Sequence, residues 1–278
     1  MLVVFMVNHL AMDEKTANLQ YGATQAWVYA FTFIGGLFAD KILGLRKSLF
    51  WGGILMIIGS VILAVDPKNF FFVGLGFTIV GTGFFKPNIS SMVGQLYKND
   101  DPRRDAGFSF FYMGVNLGAL IGGYICIAVA EGSMWQSLVP ENLRWNVGFG
   151  FAAVVMIISL LTFTQTQKSL GPIGLSPLMD VEKSKKKILE VATYLGSLII
   201  VPIIIVMVAN TKYTDYFMMF IGPASILYLF YEMKNFSSAE NKKLLAALVF
   251  IIFSIFFWAF FEQSGGSLSL FAANNLNN

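Results

Sequence analysis

The stretch that decides the fold class covers residues 69–97 and reads NFFFVGLGFTIVGTGFFKPNISSMVGQLY. It is long and apolar enough to cross a membrane as a helix, which takes about 20 such residues. It nevertheless contains Lys86, although a charge at the centre of a spanning helix costs roughly 2.5–3.5 kcal/mol on insertion scales. Pro87 follows at once and weakens the helix there. Lys86 is therefore predicted to face a cavity and to mark an ion or substrate path.

The composition is that of a polytopic, all-α membrane protein. Of the 278 residues, 56% are hydrophobic and 13% are charged, whereas soluble domains carry about 25% charged residues. The net charge is only +3 and no basic patch alternates with aromatics, which argues against a nucleic-acid partner. His9 and Cys126 are the single histidine and cysteine. We therefore expect no metal site, no internal disulfide and no enzyme activity.

Apolar segments of membrane-spanning length recur along the chain. Residues 1–12 are too short to span and are interpreted as the outer half of a helix whose first half is missing. The full-length segments cover residues 22–40, 48–65, 69–97, 107–130, 146–166, 188–209, 216–232 and 243–273. The longest polar stretch, residues 165–187, is the best boundary between two halves of the chain.

Lysine and arginine are distributed unevenly between alternate loops. One set of loops holds most of them, and the other holds only Lys15, Lys68, Arg144 and Lys212. Because basic residues concentrate on the cytoplasmic side, the first set is predicted to be cytoplasmic. We expect a multi-pass protein of the inner (plasma) membrane.

Two loops on the predicted cytoplasmic side carry charges that could form a latch. Residues 35–47 read GGLFADKILGLRK, and residues 97–106 read YKNDDPRRDA. Arg103 and Arg104 are candidates to pair with Asp40 and close that side. The alternative is a pair of ordinary solvated loops, because exposed ion pairs contribute little. The spacing of glycine, Asp40, glycine and Arg-Lys resembles the loop 2–3 signature of the major facilitator superfamily.

Residues 107–123, GFSFFYMGVNLGALIGG, combine small residues with a polar one. Gly114, Gly118 and Gly122 recur every four residues, a pattern that lets membrane helices pack closely. Asn116 is a polar group at membrane depth and needs a partner. That partner is either another helix, through a hydrogen bond, or a polar substrate.

Three elements together resemble the proton-dependent oligopeptide transporter (POT/PTR) family. FFKPNISSMVGQLY and the charged loop after it are followed by Phe111-Tyr112-x-x-Val115-Asn116, which matches the family pattern Phe-Tyr-x-x-Ile-Asn with valine for isoleucine. Residues 257–267, FWAFFEQSGGS, resemble the family's seventh helix. Segments 188–209 and 216–232 resemble the extra helix pair of many bacterial members.

The resemblance implies an architecture in three parts. Residues 1–166 would form the N-terminal transmembrane bundle of the major facilitator fold, with a partial first helix. Residues 167–242 would be a cytoplasmic linker and the extra helix pair, and residues 243–278 the first helix of the C-terminal bundle.

The resemblance also implies site residues. Lys86 matches a fourth-helix lysine linked to proton coupling and peptide binding, and Glu262 a seventh-helix glutamate that pairs with basic groups as the cavity opens and closes. Tyr29 and Asn116 match residues that contact the peptide, and Trp258 matches an aromatic residue of the cavity wall.

The implied function is proton-coupled symport of di- and tripeptides by alternating access, with protons as coupling ion, no other cofactor, and a monomer in the lipid bilayer. Alternative functions are a carrier of the same fold for another solute such as nitrate, or an inactive truncated product. The alternative role of Lys86 and Glu262 is a pair that only holds helices together. The family's first-helix motif Glu-x-x-Glu-Arg-Phe is not present in the chain. We therefore expect that the chain alone is not competent for transport.

Overall fold

A computed structural model of the chain describes residues 2–98 and 100–276. Within those residues the regular structure is helical, as predicted. The α-helices are α1 (Leu2–Asn8), α2 (Glu14–Phe38), α3 (Leu45–Val65), α4 (Phe71–Gln95), α5 (Arg104–Ala130), α6 (Arg144–Thr166), α7 (Lys183–Ala209), α8 (Thr211–Glu232), α9 (Ser238–Phe261) and α10 (Ser267–Asn275). A π-helical turn, Ala39–Leu43, extends α2, and a 3₁₀ turn, Glu262–Ser264, separates α9 from α10.

Seven helical segments among the described residues are long and apolar enough to cross a membrane. This confirms a polytopic, all-α membrane protein. Helix α4 is not one of the seven, although at 25 residues it is as long as α2. Its polar residues Lys86 and Asn88 lower its mean hydropathy, which sets the helix with the predicted site lysine apart from the seven.

The predicted apolar segments coincide with helices, with one difference at the end of the chain. Residues 243–273 were expected to form one helix, but α9 ends at Phe261 and α10 begins at Ser267. The interruption contains Gly265 and Gly266, which weaken helical structure, and these follow the polar residues Glu262, Gln263 and Ser264. Helix α9 starts at a capping box in which Ser237 and Glu240 satisfy each other's backbone N–H groups.

The chain divides into two compact units. The first consists of Met1–Ala23 and Ala209–Asn278, and the second of Thr24–Val208. Helix α2 therefore starts in the first unit and continues in the second. The three-part division at residues 166 and 242 stays a prediction.

The second unit is built on close packing of α3 against α4 and α6. A Cβ atom on Gly52 would lie 2.6 Å from the carbonyl oxygen of Gly81, and one on Gly81 would lie 2.7 Å from that of Gly52. Backbones of α3 and α4 therefore meet directly at these glycines, as small residues allow in membrane helices. Leu49, Leu55 and Ile79 are buried in the same unit.

The glycine stripe of α5 behaves differently from the prediction. No described atom lies within 4 Å of a Cβ built on Gly114, Gly118 or Gly122. Within the described residues the expected close packing along this stripe is therefore not seen. A four-residue glycine period shows where a helix could approach a neighbour. Among the described residues, glycine-mediated helix contact occurs between α3 and α4.

Arg46 fastens the segment after α6 to the start of α3 and to the π-helical turn before it. Its Nε donates to the carbonyl oxygen of Ile173 at 2.7 Å and its Nη2 to that of Gly171 at 2.6 Å. Its backbone N–H donates to Gly174, and the hydroxyl of Ser176 donates to the carbonyl oxygen of Ile42 at 2.7 Å. These contacts, called the Arg46 clamp below, tie together two segments about 130 residues apart in the chain.

Helix α7 packs on α3 through a line of polar and aromatic contacts. Lys47 forms an ion pair with Glu190 at 2.7 Å. One turn further, the Trp51 ring lies 4.8 Å from the Tyr194 ring at an interplanar angle of 44°, and its Nε1 donates to the Ser197 hydroxyl at 2.9 Å. The α7 positions are four and three residues apart and so share one helix face. The predicted extra helix pair thus begins with a helix that is specifically fastened to α3.

Candidate functional site

In the second unit the structure brings together two of the predicted site residues, Lys86 of α4 and Tyr29 of α2. The Lys86 Nζ lies 4.4 Å from the centre of the Tyr29 ring, within the range of a cation–π interaction. Both residues are exposed rather than packed into the core. The lysine is therefore oriented by an aromatic ring while its charge stays accessible to a ligand.

The backbone around Lys86 explains how α2 comes close enough for this contact. Pro87 has no N–H, so the carbonyl group of Gly83 loses its usual donor within the helix. Gly35 of α2 lies against that same carbonyl group, and a Cβ at Gly35 would collide with it. A Cα–H group facing a carbonyl oxygen is a weak hydrogen bond that recurs where helices touch. The proline therefore creates the site at which α2 docks.

A buried polar cluster holds the opposite face of α4 to α3. The Asn88 amide donates to the Ser48 hydroxyl and to the Phe84 carbonyl oxygen, both at 2.7 Å. Ser48 in turn donates to the Phe84 carbonyl oxygen at 3.2 Å. Asn88 and Ser48 are 1% and 0% exposed. These residues were not singled out from the sequence, although an asparagine in an apolar helix is itself a signal of a required partner.

Asn116 of α5 is exposed and belongs to the same unit. Its amide donates to the carbonyl oxygen of Tyr112 at 2.8 Å, one turn earlier in its own helix. The sequence allowed a hydrogen bond from Asn116 to another helix, and the structure shows one within α5. Contact of Asn116 with a substrate stays a prediction.

In the first unit Glu262 is half-buried and has a partner that the sequence did not indicate. The Tyr21 hydroxyl donates to Glu262 Oε2 at 3.1 Å. Gly265 lies so close that a Cβ there would collide with the same hydroxyl. Tyr21 is near the start of α2, and Glu262 opens the 3₁₀ turn after α9. The break between α9 and α10 therefore positions both the Glu262 carboxyl group and Gly265 against Tyr21.

Trp258 is one turn before Glu262 and is 42% exposed. Its indole packs edge-on against the rings of Phe257 at 5.5 Å and Phe261 at 5.3 Å. The cluster gives this end of α9 an aromatic surface, and the place of Trp258 in a cavity wall stays a prediction.

The predicted latch residues belong to the second unit. Asp40 lies in the π-helical turn, and Arg103 forms an ion pair with Asp101 at 2.9 Å. Hydrogen bonds from the Arg103 side chain and backbone lower the pKa of the Asp101 carboxyl from 3.8 to about 2. The guanidinium of Arg104 reaches to 3.8 Å of a Cβ built on Gly94 of α4. Pairing of Asp40 with either arginine stays a prediction.

The comparison with known protein families settles the broader assignment. A sequence model of the POT family matches residues 46–278, most of the chain. The chain belongs to the POT family. The family resemblance drawn from the sequence is thereby confirmed, and the chain is a multi-pass protein of the inner (plasma) membrane.

Similar proteins are transporters. The chain is 34% identical over 274 residues, 95% of its length, to the uncharacterized transporter YclF of Bacillus subtilis. It is 33% identical over 269 residues, 92% of its length, to a di-/tripeptide transporter of Lactococcus lactis. It spans 52% and 51% of these two proteins, so the chain covers about half of the length of its curated relatives.

A solved structure supports the fold at the level of helix arrangement. The structure of a bacterial homologue of the human drug peptide transporters PepT1 and PepT2 superimposes with a TM-score of 0.82 at 27% identity. The match covers 98% of this chain and 57% of that one. The expected major facilitator architecture of a POT transporter is therefore confirmed.

Proposed function

We propose that the protein to which this chain belongs imports di- and tripeptides together with protons by alternating access. Membership of the POT family and the similarity to di-/tripeptide transporters support the substrate class. The contact between Lys86 and Tyr29 carries the proposal at the level of the site, because it presents a cation inside a membrane helix.

A short peptide is a zwitterion, so its site needs a cation for the carboxylate and an anion for the ammonium group. Lys86 supplies an exposed cation that Tyr29 orients. Ionised groups within membrane segments are costly and serve function as a rule. The peptide carboxylate is assigned to Lys86, and Asn116 and Trp258 are proposed as further contacts to the peptide.

Glu262 is proposed as the group that takes up the coupling proton. Its carboxyl group is half-buried and accepts a hydrogen bond from Tyr21. Protonation would remove its charge, release it from ionic partners and favour one of two conformations.

Asp40, Arg103 and Arg104 are proposed as the latch of the cytoplasmic side. A surface ion pair contributes about 1 kcal/mol or less to stability. In an equilibrium between two conformations that difference still shifts the populations several-fold. The expected monomeric state stays a prediction.

The proposal is tested by uptake into vesicles that contain the protein produced from the gene encoding this chain. A labelled dipeptide should accumulate when the vesicle interior is alkaline, and a protonophore should abolish the accumulation. Unlabelled tripeptide should compete, whereas a free amino acid and nitrate should not. Nitrate uptake, or dipeptide uptake that ignores the pH gradient, would overturn the proposal and favour another solute or coupling mode.

A further inference from the structure

A pocket lies in the Thr24–Val208 unit, between α3, α6 and α7. Its volume is about 400 Å³. Phe50, Trp51 and Ile54 of α3 form one wall, and Tyr194 of α7 forms another. Arg46 and Lys47 line it at the first turn of α3, which belongs to the side predicted to be cytoplasmic. The pocket is thus apolar along one part and basic at one end.

The two basic residues differ in how far their charge is balanced. Lys47 is paired with Glu190, whose side chain is only 13% exposed. Arg46 bonds to the carbonyl oxygens of Ile173 and Gly171. These hydrogen bonds occupy two of the five N–H donors of the guanidinium and leave its full charge in place. The pocket therefore has an excess of positive charge, centred on Arg46.

A basic end next to an apolar wall determines which kind of ligand fits the pocket. Basic pockets between membrane helices on the cytoplasmic side are suited to lipid headgroups. A free phosphate would use the basic end and leave the apolar wall of Phe50, Trp51 and Ile54 without a partner. A neutral acyl chain would do the reverse. A molecule with a phosphate beside an acyl chain satisfies both ends of the pocket.

We propose that this pocket binds an anionic phospholipid of the cytoplasmic leaflet. The phosphate lies at Arg46, and the first part of an acyl chain lies against Phe50, Trp51 and Ile54. Because α7 contributes Tyr194 and holds Lys47 through Glu190, the lipid also bridges α7 to α3. The lipid site is independent of the peptide site at Lys86.

The first test is native mass spectrometry of the whole chain in a mild detergent. The protein is mixed with equal amounts of phosphatidylglycerol and phosphatidylcholine that carry identical acyl chains. Phosphatidylglycerol should be retained about fivefold over phosphatidylcholine, the factor typical of one basic side chain at an anionic membrane surface. Arg46→Gln should bring the ratio close to one, and Glu190→Gln, which frees the Lys47 charge, should raise it.

Lys185→Gln is the matched control. Lys185 is an exposed lysine in the first turns of α7 and does not line the pocket. It should leave the lipid ratio unchanged. Equal retention of the two lipids, or a preference that is lost with Lys185→Gln and kept with Arg46→Gln, would overturn the proposal in favour of general surface attraction.

Arg46→Gln also loosens the Arg46 clamp, so a second measurement reports on the pocket itself. Lipids brominated on the acyl chain quench tryptophan fluorescence on contact. The Trp51 contribution is the difference between the unaltered protein and Trp51→Phe. Brominated phosphatidylglycerol should quench that contribution several-fold more than brominated phosphatidylcholine. Equal quenching by both lipids would contradict an anionic site at this wall.

Discussion

The ammonium group of Lys86 lies 4.4 Å from the centre of the Tyr29 ring, between two helices whose backbones meet at Gly35 and Gly83. The ring attracts the cation without neutralising it. A carboxylate partner would have satisfied the charge and competed with any anionic ligand. Among the described residues the geometry therefore holds the positive charge of Lys86 beside a ring and leaves it exposed to a ligand.

Lys86→Gln should lower proton-driven dipeptide uptake by at least about tenfold, the equivalent of 1.4 kcal/mol. Lys86→Arg keeps the charge and should retain part of the uptake. Tyr29→Phe preserves the ring and should be close to the unaltered protein, whereas Tyr29→Leu should lose several-fold, in line with about 0.5–1 kcal/mol for an exposed cation–π contact. Initial rates at several peptide concentrations measure all four. A Tyr29→Leu protein with unchanged kinetics would show that the ring does not orient the lysine.

Gly35→Ala should destabilise the second unit by about 1–3 kcal/mol, because the new Cβ would collide with the Gly83 backbone and neither helix can yield locally. Gly118→Ala is the matched control, since no described atom lies within 4 Å of a Cβ there. Thermal unfolding in detergent compares the two. Equal midpoints for both variants would mean that α2 and α4 do not meet at this point.

Gly265→Ala should displace the Tyr21 hydroxyl from Glu262 and uncouple uptake from the proton gradient, while exchange of peptide across the membrane persists. Tyr21→Phe removes the same hydrogen bond without adding an atom, and it should uncouple uptake from the proton gradient to a smaller extent. Gly222→Ala, with open space around it, is the control. The ratio of gradient-driven uptake to exchange is the measurement. If Gly265→Ala and Gly222→Ala gave the same ratio, the Tyr21 contact would have no part in coupling.

Arg46→Lys should open the segment after α6 to proteolysis. A lysine presents a single ammonium group and cannot reproduce the two directed bonds to the carbonyl oxygens of Gly171 and Ile173. Ser176→Ala removes one contact of the clamp and should have a smaller effect. Limited proteolysis followed by mass spectrometry of the fragments measures the cleavage rate. Lys41→Gln, in the π-helical turn before α3, is the control and should be cleaved as slowly as the unaltered protein.

The Asp101–Arg103 pair should be insensitive to pH across the range in which proton gradients act. The carboxyl of Asp101 has its pKa lowered from 3.8 to about 2. The contribution of this pair is therefore complete above about pH 4 and is lost only as the pH falls towards 2. Asp101→Asn, which frees Arg103 to meet Asp40, should change the rate of uptake but leave the shape of its pH profile between 5 and 8 unaltered. A shifted profile would contradict this assignment.

The sequence predicted the helices and Lys86 because both depend on local pattern. Apolar length specifies a membrane segment, and a charge within one stands out whatever surrounds it. The break after Glu262 was missed because the apolar stretches on both sides of it favour one long segment over residues 243–273, although the residues EQSGGS between them are polar or glycine. The α5 glycine stripe has no close neighbour among the described residues, and a period shows which face is small and not what lies opposite.

Other features could not be predicted because their partners are distant or carry no signature. Tyr21 and Glu262 are 241 residues apart, and nothing in either segment indicates the other. Arg46 was recognised only as part of a loop signature, yet its ligands are backbone carbonyl groups, which every residue has. Asn88 could have been found, since a buried amide in a helix of this kind requires a donor or acceptor nearby.

The Arg46 clamp implies a rule for sequence drift in the segment that follows α6. Arg46 contacts carbonyl oxygens, so the side chain at Ile173 is free to change without loss of these bonds. Gly171 and Gly174 are exceptions, because their φ angles of 57° and 72° favour glycine. The number of residues is fixed more strictly than their identity, since one insertion would move every carbonyl group past its donor. Homologous sequences should therefore vary here by substitution and avoid insertions and deletions.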